Sequence, residues 1–448
     1  MKKIIPVLVA AILMPLLLIL SALIPKESIK QNTLESAEYL FEGELFGHAK
    51  EGVEGSIIDR YADAILLNIA YHFDKEVPLE SVMVSAYYFT PNHEENENLL
   101  IAVRDDMGIN QQYLRYWHGS IAFVRPLLTI FSIREIYIIN AVILIALLAV
   151  FIVMSVRIRE YPLIIAIIIS LIITRSWYVP LSLEYTWTFM LMFICAITAV
   201  ILQRKGMREY YCTFFVITGM ITSFVDFLTT ETITLLIPLL VILWIDRERS
   251  GNTINSPHPE KTKQRTEKGD ETDAGAKKNT VLSSFVKRED VKMAICCVFS
   301  WLAGYVGMWA SKWILCSLIM KENAFPYVMG HVGERLGGNI GLGIGEYITG
   351  AIVNNVGCLF PLGYGSLGVV IFIIMILAAL YIAYVYRRGK SDMNLVLLMA
   401  LIGLIPYIRY VVLHNHSYIH AFFTYRAQMA TVMAIVLIVV LVTEKKDG

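Results

Sequence analysis

Three histidines, two arginines and a row of aromatics fall within eighteen residues, RYVVLHNHSYIHAFFTYR from Arg409 to Arg426, wedged between two apolar runs. Ionisable groups at a bilayer boundary are costly and are functional candidates by default. His416 and His420 have the i, i+4 spacing of paired metal ligands, and His414 adds a third imidazole. HxxxH without the glutamate of HExxH is no metallopeptidase signature. The readings left open are a divalent metal, phosphate binding, or capping of a helix end. A second set is acidic. In SIIDRYADAILLNIAYHF, Asp59 and Asp63 are one helical turn apart while Ile65, Leu66, Ile69 and Phe73 continue an apolar face. That pattern predicts an amphipathic helix at the membrane surface displaying two carboxylates near its start, or a charge pair that merely suits the helix dipole.

Other polar groups sit in apolar surroundings. Asp226 and Glu231, in SFVDFLTTETITLLIPLL, bracket a short turn that is either a wet hairpin tip or part of a site. Lys312, in GYVGMWASKWILCS, must snorkel, lose its charge or meet an anion. His118 ends a long polar loop, and Arg125 in GSIAFVRPLLTIF marks a second surface helix or a tilted start to the next span. His331, Glu334 and Arg335 precede GGNIGLGIG, whose Gly341-x-Gly343 pattern follows no strand. A flexible loop or re-entrant helix explains that run better than a dinucleotide site.

The elements that must position these residues are membrane helices. The chain is 56% hydrophobic and 17% charged over 448 residues, too apolar for a soluble protein, and its zero formal net charge points to no nucleic-acid partner. The fold expected is an all-α polytopic membrane protein with about ten transmembrane helices. A first span over residues 1–24 is retained rather than cleaved. Residues 25–133 form an extracytoplasmic loop with surface-lying helices. Spans two to six occupy 134–245, near 135–155, 161–176, 186–202, 210–227 and 230–245. A disordered cytoplasmic linker covers 246–292. Spans seven to ten occupy 293–448, near 293–318, 367–386, 394–413 and 427–443, with an extracytoplasmic loop at 319–366.

Charge sets the orientation. Residues 25–118 carry 17 Asp/Glu against 7 Lys/Arg, whereas 23 of the 38 Lys+Arg lie at the N-terminus, in the linker and in turns that all fall on the other side. Lys and Arg enrichment marks that side as cytoplasmic, with both termini inside. The linker, with 11 Lys/Arg and 9 Asp/Glu and few apolar residues, cannot bury enough surface to offset ordering. The six cysteines, none in the first long polar loop, imply no disulfide framework.

One apolar N-terminal span, a long outer loop with an acidic first surface helix and a second surface helix at its end, the SFVDFLTTETITLLIPL hairpin and the NHSYIHAFFTYR stretch together resemble the GT-C superfamily of integral-membrane glycosyltransferases. The acids here are Asp-x-x-x-Asp rather than adjacent, and they lie about 35 residues beyond the first span. The resemblance implies an enzyme of the bacterial cytoplasmic membrane that takes a sugar from a polyprenyl-phosphate carrier. It passes the sugar to an extracytoplasmic acceptor, a cell-surface glycan or protein. Asp63, or failing that Asp59, would serve as base. Lys312, Arg409, His414, His416, His420, Tyr425 and Arg426 would hold the lipid phosphate. Asp226, Glu231, His118 and Arg125 would contact substrate. No cofactor is certain, a divalent metal stays open, and membrane lipids are the remaining partner. The alternative is a transporter or flippase for a lipid-linked sugar or other anion, which should show polar residues along a route to the cytoplasmic face.

Overall fold

A computed structural model describes residues 3–247, 285–286, 288–330, 343–361, 365–387 and 392–444. His331, Glu334, Arg335, most of the glycine-rich run and most of the 246–292 linker lie outside the described residues. The described chain is all-helical, 76% helix, with two isolated bridges and no strand.

Seven helices are long and apolar enough to cross a membrane: Ile5–Ala22, Ile133–Arg157, Thr186–Arg204, Glu289–Met320, Ser366–Val385, Met393–Val412 and Ala421–Thr443. The other three expected spans coincide with shorter helices, Tyr161–Ile173, Tyr211–Val225 and Ile233–Ile245, of 13, 15 and 13 residues. About 20 residues are needed to cross a hydrocarbon core, so these three fall short on helix length alone. The protein is membrane-embedded. Ile5–Ala22 leaves Leu8, Ile12 and Leu16 uncovered and buries Met14 and Leu18, while Ser366–Val385 buries only Gly368. Lipid is the solvent that such faces fit.

Helix starts follow local chemistry. Ser132 and Glu135 form a capping box in which the Ser132 amide donates to Glu135 over 2.9 Å. It starts Ile133–Arg157 as a new helix, so the segment before it is no tilted beginning of that span. Asp392 accepts from the Asn394 and Leu395 amides at 3.1 and 3.3 Å and meets the Arg288 guanidinium at 2.6 Å, tying two helix starts together. Tyr211–Val225 and Glu289–Met320 pack backbone to backbone at two glycines. A Cβ on Gly219 would lie 2.1 Å from the Trp301 carbonyl oxygen, and one on Gly304 would lie 2.0 Å from that of Val216.

The polar loop folds into a small helical body on one end of the bundle, and here the structure corrects the expectation. The helix Arg60–His72 does not lie on the surface. Every residue from Asp63 to Tyr71 is buried, enclosed by Lys26–Phe41, Glu95–Arg104 and Ile121–Leu127. The apolar face read from the sequence packs against protein. Ile121–Leu127, the second expected surface helix, likewise buries Ile121, Ala122, Val124 and Arg125 in this body. The 226–232 turn is not wet either, since all but Phe227 of its residues are buried.

Candidate functional site

Asp59 is the N-cap of Arg60–His72 and accepts the Ala62 amide at 2.9 Å. Its carboxyl also hydrogen-bonds that of Glu184, from the short stretch between the turn Ser176–Leu181 and the span Thr186–Arg204. Burial and neighbouring carboxylates push Glu184 well above the usual carboxylate range. Burial lifts Asp59 to about 6, against hydrogen bonds from the Ala62 amide and the Glu184 carboxyl. Glu184 therefore holds the proton and Asp59 is the ionised partner at neutral pH. Asp63 sits behind this pair, enclosed, with its carboxyl 2.5 Å from the Tyr137 hydroxyl and 2.7 Å from the Leu183 amide. Burial raises it to about 8, so it is largely neutral at pH 7.

A cavity of about 60 Å³ opens onto Asp59 and Glu184, with His118, His416 and His420 beside them and Tyr61, Tyr113, Tyr116, Phe227 and Phe423 as its aromatic walls. Asp63 does not line it. The His416 and His420 rings are 4.7 Å apart between centroids, and His420 stacks on Phe423. His118 adopts a left-handed backbone, φ +52°, and is buried beside the Tyr116 carbonyl. Burial and the nearby Lys312 and Arg115 charges hold it well below the usual histidine range, opposed only by the Tyr116 carbonyl. One Glu184 oxygen, Oε2, has no hydrogen-bond partner.

The remaining predicted residues lie apart from this cavity. Lys312 donates to the Val82 carbonyl at 2.7 Å and closes the end of Pro78–Val84, with Trp117 beneath its ammonium. Arg409 forms a buried ion pair with Glu231 at 2.8 Å and donates to Ser417 and to the Leu228 carbonyl. Asp226 accepts from Thr188 at 2.8 Å and from the Thr229 amide at 3.0 Å, which shapes the 226–232 turn. Arg125 donates to the carbonyls of Ala70, Ile24 and Phe73, joining the end of Arg60–His72 to the end of the first span. The Tyr425 hydroxyl lies 2.7 Å from the Thr174 carbonyl and 3.0 Å from that of Gly55, and Arg426 donates to Phe422 and Gly55 carbonyls. His414 packs its ring 5.9 Å from that of Tyr347.

Glu184 is the residue that sequence reading missed. It is the only charged residue between Arg175 and Arg204, and that isolation is the signal that marks it. Among the described residues no three His, Cys, Asp or Glu side chains converge as a metal-ligand set. No family model, curated protein or solved structure matches the chain.

Proposed function

We propose that this protein is a GT-C-like glycosyltransferase of the bacterial cytoplasmic membrane, with ten spans, cytoplasmic termini and the Asp59 cavity on the outer face. The observation that carries the reading is the Asp59–Glu184 carboxyl pair at the end of an aromatic-walled cavity with three imidazoles. Aromatic faces suit sugar rings, and an ionised carboxylate held beside a neutral one suits a general base.

The base is Asp59 rather than Asp63. Asp59 reaches the cavity and is ionised at neutral pH, whereas Asp63 is spent on Tyr137 and Leu183. The cavity, at about 60 Å³, is well below the size of an ordinary small-molecule pocket, so it takes an acceptor hydroxyl while the sugar lies at its mouth. The acceptor oxygen attacks the anomeric carbon of a polyprenyl-phosphate sugar and forms the new glycosidic bond. The bond from that carbon to the phosphate oxygen breaks, its electron pair leaves with the lipid phosphate, and the acceptor proton passes to Asp59. Glu184 keeps Asp59 ionised by donating its own hydrogen bond.

Packing towards the opposite end weighs against a transport path. Phe189, Met192, Phe193, Ala196, Leu239 and Leu243 are buried together in one hydrophobic core with no charged side chain in it. The test compares surface glycans of cells carrying wild-type protein and Asp59→Asn at equal membrane abundance. Loss of one sugar, with its lipid-linked donor accumulating on the outer leaflet, is the expected result, at a cost of about 10²- to 10⁴-fold in transfer rate. An unchanged glycan profile overturns the reading, and donor stranded on the inner leaflet replaces it with a flippase.

A further inference from the structure

The cations that the sequence offered for a phosphate are largely committed: Lys312 to a carbonyl, Arg409 to Glu231, and Arg426 to two carbonyls deep in the protein. Arg115 is different. Among the described residues it has no carboxylate within ion-pair distance; its Nε is enclosed without a hydrogen-bond partner, and its guanidinium hydrogen-bonds the Tyr113 side chain. Its guanidinium lies 4.5 Å from the centre of the Tyr113 ring and 5.9 Å from that of Tyr116, and it faces the Tyr327 phenol. Trp313 fixes the backbone at this point by donating to the Arg115 carbonyl over 3.2 Å.

The position is informative because Tyr113 and Tyr116 are walls of the Asp59 cavity and Arg115 stands between them in the chain. A half-buried guanidinium without a counter-charge is costly unless an anion completes it. Contact with the tyrosines orients the planar fork, and the N–H groups not turned to Tyr113 remain for two oxygens of one ligand. Phosphate has the geometry for such a bidentate contact. We propose that Arg115 is an anion anchor at the mouth of the cavity, taking the phosphate group of the ligand that enters there.

Assigning that phosphate to a lipid-linked sugar donor rests on the transferase reading, whereas the anchor itself does not. On that reading Arg115 holds the bridging phosphate while the sugar reaches inward to Asp59, and it meets the extra negative charge on the phosphate as the glycosidic bond breaks.

The test uses the full chain in nanodiscs with three probes: a long-chain isoprenyl phosphate, the corresponding uncharged alcohol, and inorganic phosphate. Quenching of tryptophan fluorescence is the readout, since Trp313 contacts Arg115 and Trp309 packs 6.0 Å from Tyr116. Wild type binds the isoprenyl phosphate about 10- to 100-fold more tightly than the alcohol. Arg115→Gln removes that preference without changing affinity for the alcohol, and Arg115→Lys retains part of it. The unchanged alcohol affinity shows that the variant is folded. Preference for inorganic phosphate alone, lost in Arg115→Gln, keeps the anchor and removes the lipid-linked donor. A wild-type preference that survives in Arg115→Gln overturns the anchor. Unaltered glycans in Asp59→Asn alongside a lost preference in Arg115→Gln overturn the transferase and leave the anchor standing.

Discussion

At the scale of residues, the site depends on which of two neighbouring acids carries the proton. Glu184 is neutral and donates to Asp59, and that hydrogen bond opposes the burial that lifts Asp59 to about 6. On the transferase reading, Glu184→Gln can still donate, so it keeps the acidic limb of the kcat/KM profile near pH 6. Glu184→Ala cannot, so the Asp59 pKa rises and the limb moves to higher pH. Base catalysis needs the ionised carboxylate, and activity is therefore lost as pH falls through that limb in every variant. Rates measured from pH 5 to 9 (about the span of ordinary assays) check the order, and a limb that stays put in Glu184→Ala disconnects the pair. The acidic part of this site was half legible in the sequence. Asp59 and Asp63 share one helix face by spacing, but only the fold turns Asp59 towards the cavity and plugs Asp63 with Tyr137 and Leu183. Glu184 is 125 positions beyond Asp59, and nothing local announces that they meet.

At the scale of elements, the hydrophobic runs located seven of the ten expected spans on helices long and apolar enough to cross a membrane, because apolar length is a local property of the chain. Predicted segments such as 135–155 and 394–413 coincide with Ile133–Arg157 and Met393–Val412. Burial was not legible in the same way. A helix with one apolar face reads alike whether lipid or protein covers it, and Arg60–His72 took protein cover from helices at Lys26–Phe41 and Glu95–Arg104 that the sequence had not resolved from loop. Close approach of helices leaves a fainter trace, a single glycine in each partner. Because a Cβ at Gly219 would sit 2.1 Å from the Trp301 carbonyl oxygen, Gly219→Val must part the two helices. The expected loss is about 1–3 kcal/mol or more of stability, seen as a lower thermal unfolding midpoint in detergent. Gly108→Val, where a Cβ would meet nothing within 4 Å, serves as the control and should leave the midpoint within about 1 °C, as a surface change does. Equal midpoints for both variants would show that the glycine crossing does not set the packing of these helices.

At the scale of the whole molecule, the ionisable groups of the site gather at one end of the bundle. Asp59, Glu184, His118, His416 and His420 come from segments spread over most of the chain, and each lies where a helix begins or ends beside the folded polar loop. Which compartment this end faces decides the chemistry available to it. Lys and Arg dominate the turns at the opposite end, including Arg157, Arg159, Arg204 and Lys205, and positive turns stay in the cytoplasm. On the proposed reading the cavity faces outward, away from soluble nucleotide-activated sugars, and its donor arrives as a lipid. Cysteine labelling in a cysteine-free background tests this directly. Asn110 is exposed in the loop that runs towards the cavity, so a cysteine there should react with a membrane-impermeant maleimide on intact cells. Arg159→Cys, in a turn at the other end, should react only after permeabilisation. The reverse pattern would bring the Asp59 cavity to the cytoplasm, where a nucleotide-linked donor is available, and a lipid-linked donor would no longer be needed to supply the sugar.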